Sequence, residues 1–206
     1  MNDDIRAFHP PVYGWLEKDL SQEEINFLWK CVDNEKEVHN SKLAGNIHLS
    51  KSLDDPDNWF FKNTLIPLCQ VYGDTFGNIG DTYGFKNFNP YSLVSMWVNY
   101  QKKGEFNPLH DHAGVYSFVI WMKIPTEFEE QNQKPFAKDS KSPSVSGFQF
   151  IYNDILGNTT GQLYQLGKRH EGMMLFFPSK LHHQVYPFFD AEEDRISISG
   201  NIGFNF

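Results

Sequence analysis

The chain is poor in cysteine: 206 residues carry only Cys31 and Cys69, with no C-x-x-C spacing. Two thiols exclude a disulfide framework, so a reducing, cytoplasmic setting is expected and neither cysteine is assigned a role. Long hydrophobic runs are missing too. No stretch approaches the roughly 18 apolar residues of a membrane helix, and Met1-Asn2-Asp3-Asp4 is acidic where a signal peptide is basic. Cations are outnumbered, 18 Lys and Arg against 26 Asp and Glu, for a formal charge of -8. That balance opposes a broad nucleic-acid footprint, which needs clustered cations to displace phosphate counterions. There is no internal repeat and no low-complexity tract.

Aromatic side chains, in contrast, are abundant, with 19 Phe, 9 Tyr and 5 Trp. Flat rings suit strands packed face to face, and the length fits one domain over residues 1–206. Ser21-Gln22-Glu23-Glu24 is a capping-box pattern followed by Ile25, Leu28, Trp29 and Val32 at helical spacing, which predicts a helix over about 22–33. A second helix is predicted over about 57–76 despite Pro67. From residue 91 the apolar period shortens to that of strands. Segments 92–100, 115–124, 147–152, 162–166, 172–177, 183–186 and 195–204 are β-branched and aromatic runs between turn residues, with 110–112 as a further strand end. The expected fold is mainly β. Residues 91–206 form a double-stranded β-helix (a cupin-like jelly roll), and residues 1–90 supply a mostly helical supporting layer. Residues 126–146 are polar and long for a connection, which predicts a lid over the substrate or an unstructured insert.

Four of the eight histidines fall in two tight contexts, His110-Asp111-His112 and His182-His183. In an extended chain side chains two apart share a face, so His110 and His112 point the same way and Asp111 points away. Two ligands from one strand and a third from a distant one, where His182 and His183 are alternatives one register step apart, leave coordination positions open for reactants, as a non-haem iron oxygenase requires. Downstream, Arg195 and Ser197 share one face of an otherwise apolar strand. A buried arginine there needs an anionic partner, either a bound carboxylate or one of Asp190, Glu192, Glu193 and Asp194. His9, His39, His48 and His170 are solitary and read as structural or exposed.

The order Trp97-Val98-Asn99, His110-Asp111-His112, Ser117-Phe118-Val119-Ile120-Trp121, Phe177-Pro178-Ser179 through His183-Gln184-Val185 and Arg195-Ile196-Ser197-Ile198-Ser199-Gly200-Asn201 resembles the iron(II) and 2-oxoglutarate-dependent oxygenases. It is similar in particular to their prolyl-hydroxylase-like branch and its small microbial and phage-type members. The resemblance implies Fe(II) held by His110, His112 and His183. It also implies 2-oxoglutarate held through Arg195, Ser197 and Tyr100, with O2 as the other reactant. The implied reaction is hydroxylation of a C–H bond in a peptide, protein or small molecule, with release of succinate and CO2. The chain departs from the family pattern at His112, where an acid usually stands, so Asp111 is a rival second ligand. Tyr100 is either a carboxylate contact or an outward-facing strand residue. Two other readings stay open: a three-histidine cupin-like dioxygenase that needs no 2-oxoglutarate, and an inactive binding module of the same fold.

Overall fold

The Ser21 hydroxyl accepts the Glu24 N–H at 3.3 Å, and the Glu24 carboxylate takes the Ser21 N–H at 2.7 Å. The predicted capping box is therefore closed, and it starts helix α1 (Gln22–Asp33) at the expected residue. These contacts belong to a computed structural model that describes residues 12–82 and 91–204. Leu28, Cys31 and Val32 bury the inner face of α1, and Phe27 stacks on Trp59 at 4.6 Å.

The second predicted helix is present but not uniform. A π-helical turn, Phe61–Leu65, leads into α2 (Ile66–Phe76), with Pro67 in the first turn of α2. Proline gives no N–H and its ring crowds the carbonyl four residues back, so a wider turn ahead of it relieves both problems. A short α3 (Ile79–Thr82) follows. Among the described residues no helix is long and apolar enough to cross a membrane.

Ten strands are present among the described residues: β1 (Leu16–Asp19), β2 (Leu49–Ser52), β3 (Tyr91–Gln101), β4 (Asn107–His110), β5 (Tyr116–Lys123), β6 (Phe148–Asn153), β7 (Thr159–Tyr164), β8 (Met173–Pro178), β9 (His182–Val185) and β10 (Arg195–Phe204). They form a six-stranded sheet in the order β1-β8-β5-β10-β3-β2 and a four-stranded sheet in the order β4-β9-β6-β7. The pairs within both sheets are antiparallel. This is the predicted double-stranded β-helix with one addition. β1 and β2 lie in the region expected to be helical, and they extend the larger sheet at both edges.

The strand period of two divides the core. On one face of the larger sheet Val98, Phe118, Ile120, Phe176 and Ile198 pack with Leu28, Phe60, Leu65 and Tyr72 of the helical layer. On the other face Val119, Trp121, Leu175 and Phe177 pack with Phe148 and Phe150 of the smaller sheet. Each such side chain contributes about 1.5–3 kcal/mol on burial, and a slip of one residue in β5 or β10 would exchange the two faces. Register is thereby fixed, and with it which side chains of β3 and β10 face the space between the sheets.

Residues 126–146 are neither a lid nor an unstructured insert. They contain α4 (Phe128–Gln131), bury Phe128, Gln131, Asn132 and Ala137, and bond back to Phe189 through Gln131 at 2.9 and 2.7 Å. None of them lines the large cavity between the sheets. The polar composition is accounted for by amide side chains that satisfy loop backbone, as where Asn132 donates to the Phe128 and Val145 carbonyls.

Candidate metal centre

β4 and β9 pair so that His110 and His183 are direct cross-strand partners. Their ring centroids are 4.3 Å apart, and His112 lies 5.0 Å from each. The three rings offer nitrogens that all lie within 4.8 Å of one another. Two rings are oriented by backbone. His110 Nδ1 lies 2.7 Å from the Pro108 carbonyl and His183 Nδ1 lies 2.9 Å from the Leu181 carbonyl. A carbonyl can only accept, so each ring carries its proton on Nδ1 and turns the Nε2 lone pair inward.

His112 arrives differently from the extended-chain expectation. β4 ends at His110, and His112 is placed by its own N–H, which donates to the Ser179 carbonyl at 2.8 Å. Its Nε2 lies 3.1 Å from Nε2 of His183. Asp111 does not join the group: it is exposed, and its carboxylate sits 3.4 Å from Lys180. His182 is exposed, one strand position out of phase with buried His183.

Burial holds all three rings in the neutral form that a metal requires. It lowers the pKa of His110, lowers that of His112 to about 4 with a further push from His110, and lowers that of His183 well below the usual value. The donor set therefore fits a divalent metal. Neutral imidazole nitrogens converge on one side, and aromatic rings stand behind them, with Phe177 4.9 Å and Phe148 5.6 Å from His183.

The histidines line a cavity of about 600 Å³ between the sheets, which Arg195, Ser197, Trp97 and Asn99 also line. Arg195 is 1% exposed and rests 5.0 Å from the centre of the Phe188 ring. One of its nitrogens, Nη2, donates to the Ser146 carbonyl at 3.0 Å and to the Ser146 hydroxyl. Among the described residues Nε and Nη1 have no partner. Of the four acids that could have neutralised it, Asp190 pairs with Lys134, Glu192 with Lys103 and Glu193 with Lys123, and among the described residues Arg195 forms no ion pair with Asp194. Burial pulls the Arg195 pKa down to about 9. A buried cation with two idle donors is costly, and a carboxylate in the cavity would satisfy both charge and hydrogen bonding. Ser197 stands two residues along the same strand, accepting from Asn99 Nδ2 at 3.5 Å. The pair therefore offers a guanidinium and a hydroxyl to a carboxylate in the cavity.

Tyr100 is a correction. It points to the opposite face of β3 from Asn99 and Gln101, does not line the cavity, and donates its hydroxyl to Glu35. Two cavity residues escaped the sequence reading. Asn99 is fixed by Ser50 at 2.8 Å and faces inward where the tyrosine was expected. His39, read from the sequence as structural or exposed, is buried and structural, and its place on the cavity wall is what the sequence did not reveal. It bonds Ser52 at 3.0 Å and stacks on Trp97, whose ring in turn lies 5.8 Å from that of His112. Strand phase at Trp97-Val98-Asn99 could have revealed Asn99, but nothing local marks His39. His48 pairs with Glu105 and His170 with the Gly167 backbone, whereas His9 lies outside the described residues.

No curated protein matches the sequence. Among solved structures, a Pseudomonas putida prolyl-4-hydroxylase aligns at 14% identity and a TM-score of 0.50, covering 94% of each chain. A viral collagen prolyl hydroxylase from Paramecium Bursaria Chlorella virus-1 aligns at 13% identity and a TM-score of 0.50, covering 91% of this chain and 94% of that one. At such identities the likeness is one of fold. Residues 95–201, more than half of the sequence, match the 2OG-Fe(II) oxygenase family, and the chain therefore belongs to that family, whose members use iron(II), 2-oxoglutarate and O2.

Proposed function

We propose that the protein is a hydroxylase that holds iron(II) on His110, His112 and His183 and 2-oxoglutarate on Arg195 and Ser197. The observation that carries this reading is a single cavity containing both the three histidine nitrogens and a buried guanidinium with two unpartnered donors. Bound together, iron and 2-oxoglutarate supply the oxidising power to insert one oxygen atom of O2 into a C–H bond, with succinate and CO2 released.

The chain's own residues do the rest. Arg195 and Ser197 fix one end of the co-substrate and so set its orientation toward the histidines. Carbonyl acceptance at Nδ1 of His110 and His183 makes their Nε2 atoms more basic and holds the rings still. Val119, Trp121, Phe148 and Phe177 line the inner wall of the cavity and exclude water from the reacting atoms. The outer part is lined by Leu43, Ala44, Val94 and Lys42, on the side from which a substrate would enter.

For substrate we propose a peptide side chain such as proline, since the two aligned structures are of prolyl hydroxylases. The three-histidine set gives some support to a dioxygenase that works without 2-oxoglutarate, but the unpaired Arg195 donors would then have no partner. The test is succinate production by the iron-loaded protein, first alone and then with proline-containing peptides analysed by mass for one added oxygen. Succinate that disappears in His183→Ala is expected. Oxygen uptake with no succinate formed would overturn the proposal.

A further inference from the structure

Three conspicuous sequence features, Ser117, Ser179 and the Ser199-Gly200-Asn201 end of the arginine strand, contribute no ligand atom, yet they form one connected polar row in the sheet. Asn201 on β10 pairs across to Ser95 on β3 and to Ser117 on β5. Their side chains follow the register: Asn201 Nδ2 donates to Ser95 Oγ at 3.2 Å and Ser117 Oγ donates to Asn201 Oδ1 at 2.8 Å. From Ser117 the row continues 2.9 Å to the hydroxyl of Ser179, just past the end of β8. Ser117 and Ser179 are 1% and 0% exposed, so no water competes for these bonds.

The row ends on the turn that holds two of the three imidazoles. The turn from Pro178 to Leu181 is closed by the Leu181 N–H donating to the Pro178 carbonyl at 2.9 Å. Within it the Ser179 carbonyl accepts the His112 N–H at 2.8 Å, and the Leu181 carbonyl faces His183 Nδ1 at 2.9 Å. The Ser179 N–H donates to the Val115 carbonyl at 3.0 Å, so the turn also grips the segment that leaves His112. That segment has no slack of its own. Gly114 adopts φ +105, and a Cβ there would lie 2.7 Å from the Ile202 carbonyl. His112 is therefore placed by this tight segment and by the Ser179 carbonyl together, and among the described residues no carbonyl fixes its ring as one fixes each of the others.

We propose that Ser117, through Ser179, is a positioning residue for the metal site: the hydroxyl pair pins the turn whose two carbonyls set His112 and His183. A polar row buried in a sheet is expensive compared with an apolar one, and every member here is satisfied, which suits a rigid support. The inference rests on the three-histidine reading of the site. Groups that support metal ligands from behind typically change affinity by about 10–100-fold when removed.

The experiment is cobalt(II) titration of the full chain, read by equilibrium dialysis and by the visible spectrum of the bound ion, beside the melting temperature of the metal-free protein. Wild type should bind one cobalt, and His183→Ala should abolish this. A wild type that takes up no cobalt, or a His183→Ala that binds as well, overturns the metal reading itself. Ser117→Ala should bind about 10–100-fold more weakly, with the visible spectrum of the bound ion displaced from that of wild type. Ser179→Ala breaks only the bond to the turn, leaves Ser117 paired with Asn201, and should weaken binding in the same direction even if Ser117→Ala does not fold. Ser179→Thr, which keeps the hydroxyl, should restore wild-type affinity. If the alanine variants lower the melting temperature but keep wild-type cobalt affinity and spectrum, the row is ordinary core polarity and the proposal is wrong.

Discussion

His110 and His183 are 73 positions apart in sequence and directly opposite one another across β4 and β9, with ring centroids 4.3 Å apart. Each is aimed by the carbonyl of the residue two before it, so a single ladder contact and two local bonds set two imidazoles. Replacing either ring by alanine removes a nitrogen that nothing nearby can supply. His110→Ala and His183→Ala are expected to lose iron(II) binding by at least about 100-fold in anaerobic dialysis while keeping their circular dichroism.

His112 and Asp111 give opposite predictions. The carboxylate of Asp111 is exposed beside Lys180, an arrangement worth no more than about 1 kcal/mol. Asp111→Ala should therefore leave metal affinity within about threefold of wild type, whereas His112→Ala should approach the loss seen with His183→Ala. Metal titration of the two variants side by side decides which residue is the second ligand, and the reverse result would reassign it to Asp111.

Much of this architecture is legible in the sequence because it depends on period and phase. The capping box at Ser21 and the long β3, β5 and β10 follow from local chemistry or two-residue alternation, whereas alternation alone leaves His182 and His183 open and the family resemblance selects the buried His183. β1 and β2 do not, since LEKD and LSKS are four-residue polar segments made into strands only by the free edges of the larger sheet. His39 shows the same limit within the cavity. Its place beside Trp97 is set by the pairing of Val38 with Lys51, a tertiary fact with no local sequence trace. Tyr100 failed for a simpler reason: strand phase, applied from Asn99, already directs it outward.

That outward Tyr100 gives a prediction of its own. Its hydroxyl donates to Glu35, which also pairs with Lys51, and this links β3 to the end of α1 and to β2. Burial, reinforced by the Glu35 carboxylate, pushes the phenol pKa up, so the proton stays on the ring. Tyr100→Phe should cost about 0.5–1.5 kcal/mol in urea unfolding and leave 2-oxoglutarate affinity unchanged. A large loss of co-substrate affinity would restore Tyr100 to the site.

Glu24 predicts acid sensitivity. Its carboxylate accepts from Thr64 at 2.6 Å, the Ser21 N–H at 2.7 Å and Lys18 at 3.1 Å, tying the start of α1 to the π-helical turn. Burial raises its pKa, but these bonds outweigh burial and the net shift is downward. A depressed folded pKa means the contribution is complete above the unfolded value of about 4.3 and is lost as pH falls through the folded value. Glu24→Gln should therefore be less stable than wild type by about 1–3 kcal/mol at pH 7. The gap between the two urea midpoints should close below about pH 4. A gap that persists unchanged into acid would mean that packing, not charge, holds this corner.

Arg195 separates co-substrate binding from metal binding. Its guanidinium is buried and lines the cavity, and among the described residues it bonds only Ser146, through Nη2, with Nε and Nη1 idle. Arg195→Lys keeps a positive charge but replaces a planar fork by a point charge that cannot make two parallel bonds to a carboxylate. Arg195→Met keeps much of the length and removes the charge. Hydrogen bonds to a charged group contribute about 1.5–3 kcal/mol, so the Met variant should weaken 2-oxoglutarate binding by about 10–100-fold, with Lys between it and wild type. Because neither change touches a histidine, iron(II) affinity should stay at the wild-type value. Calorimetric titration of 2-oxoglutarate into the anaerobic iron-loaded proteins measures the first quantity and dialysis the second. Removing an unpaired buried cation also relieves a desolvation penalty, so Arg195→Met should melt no lower than wild type when 2-oxoglutarate is absent. The difference should reverse in favour of wild type when the co-substrate is added. A guanidinium that served only to brace Ser146 would instead destabilise the protein on removal, whether or not the co-substrate is present.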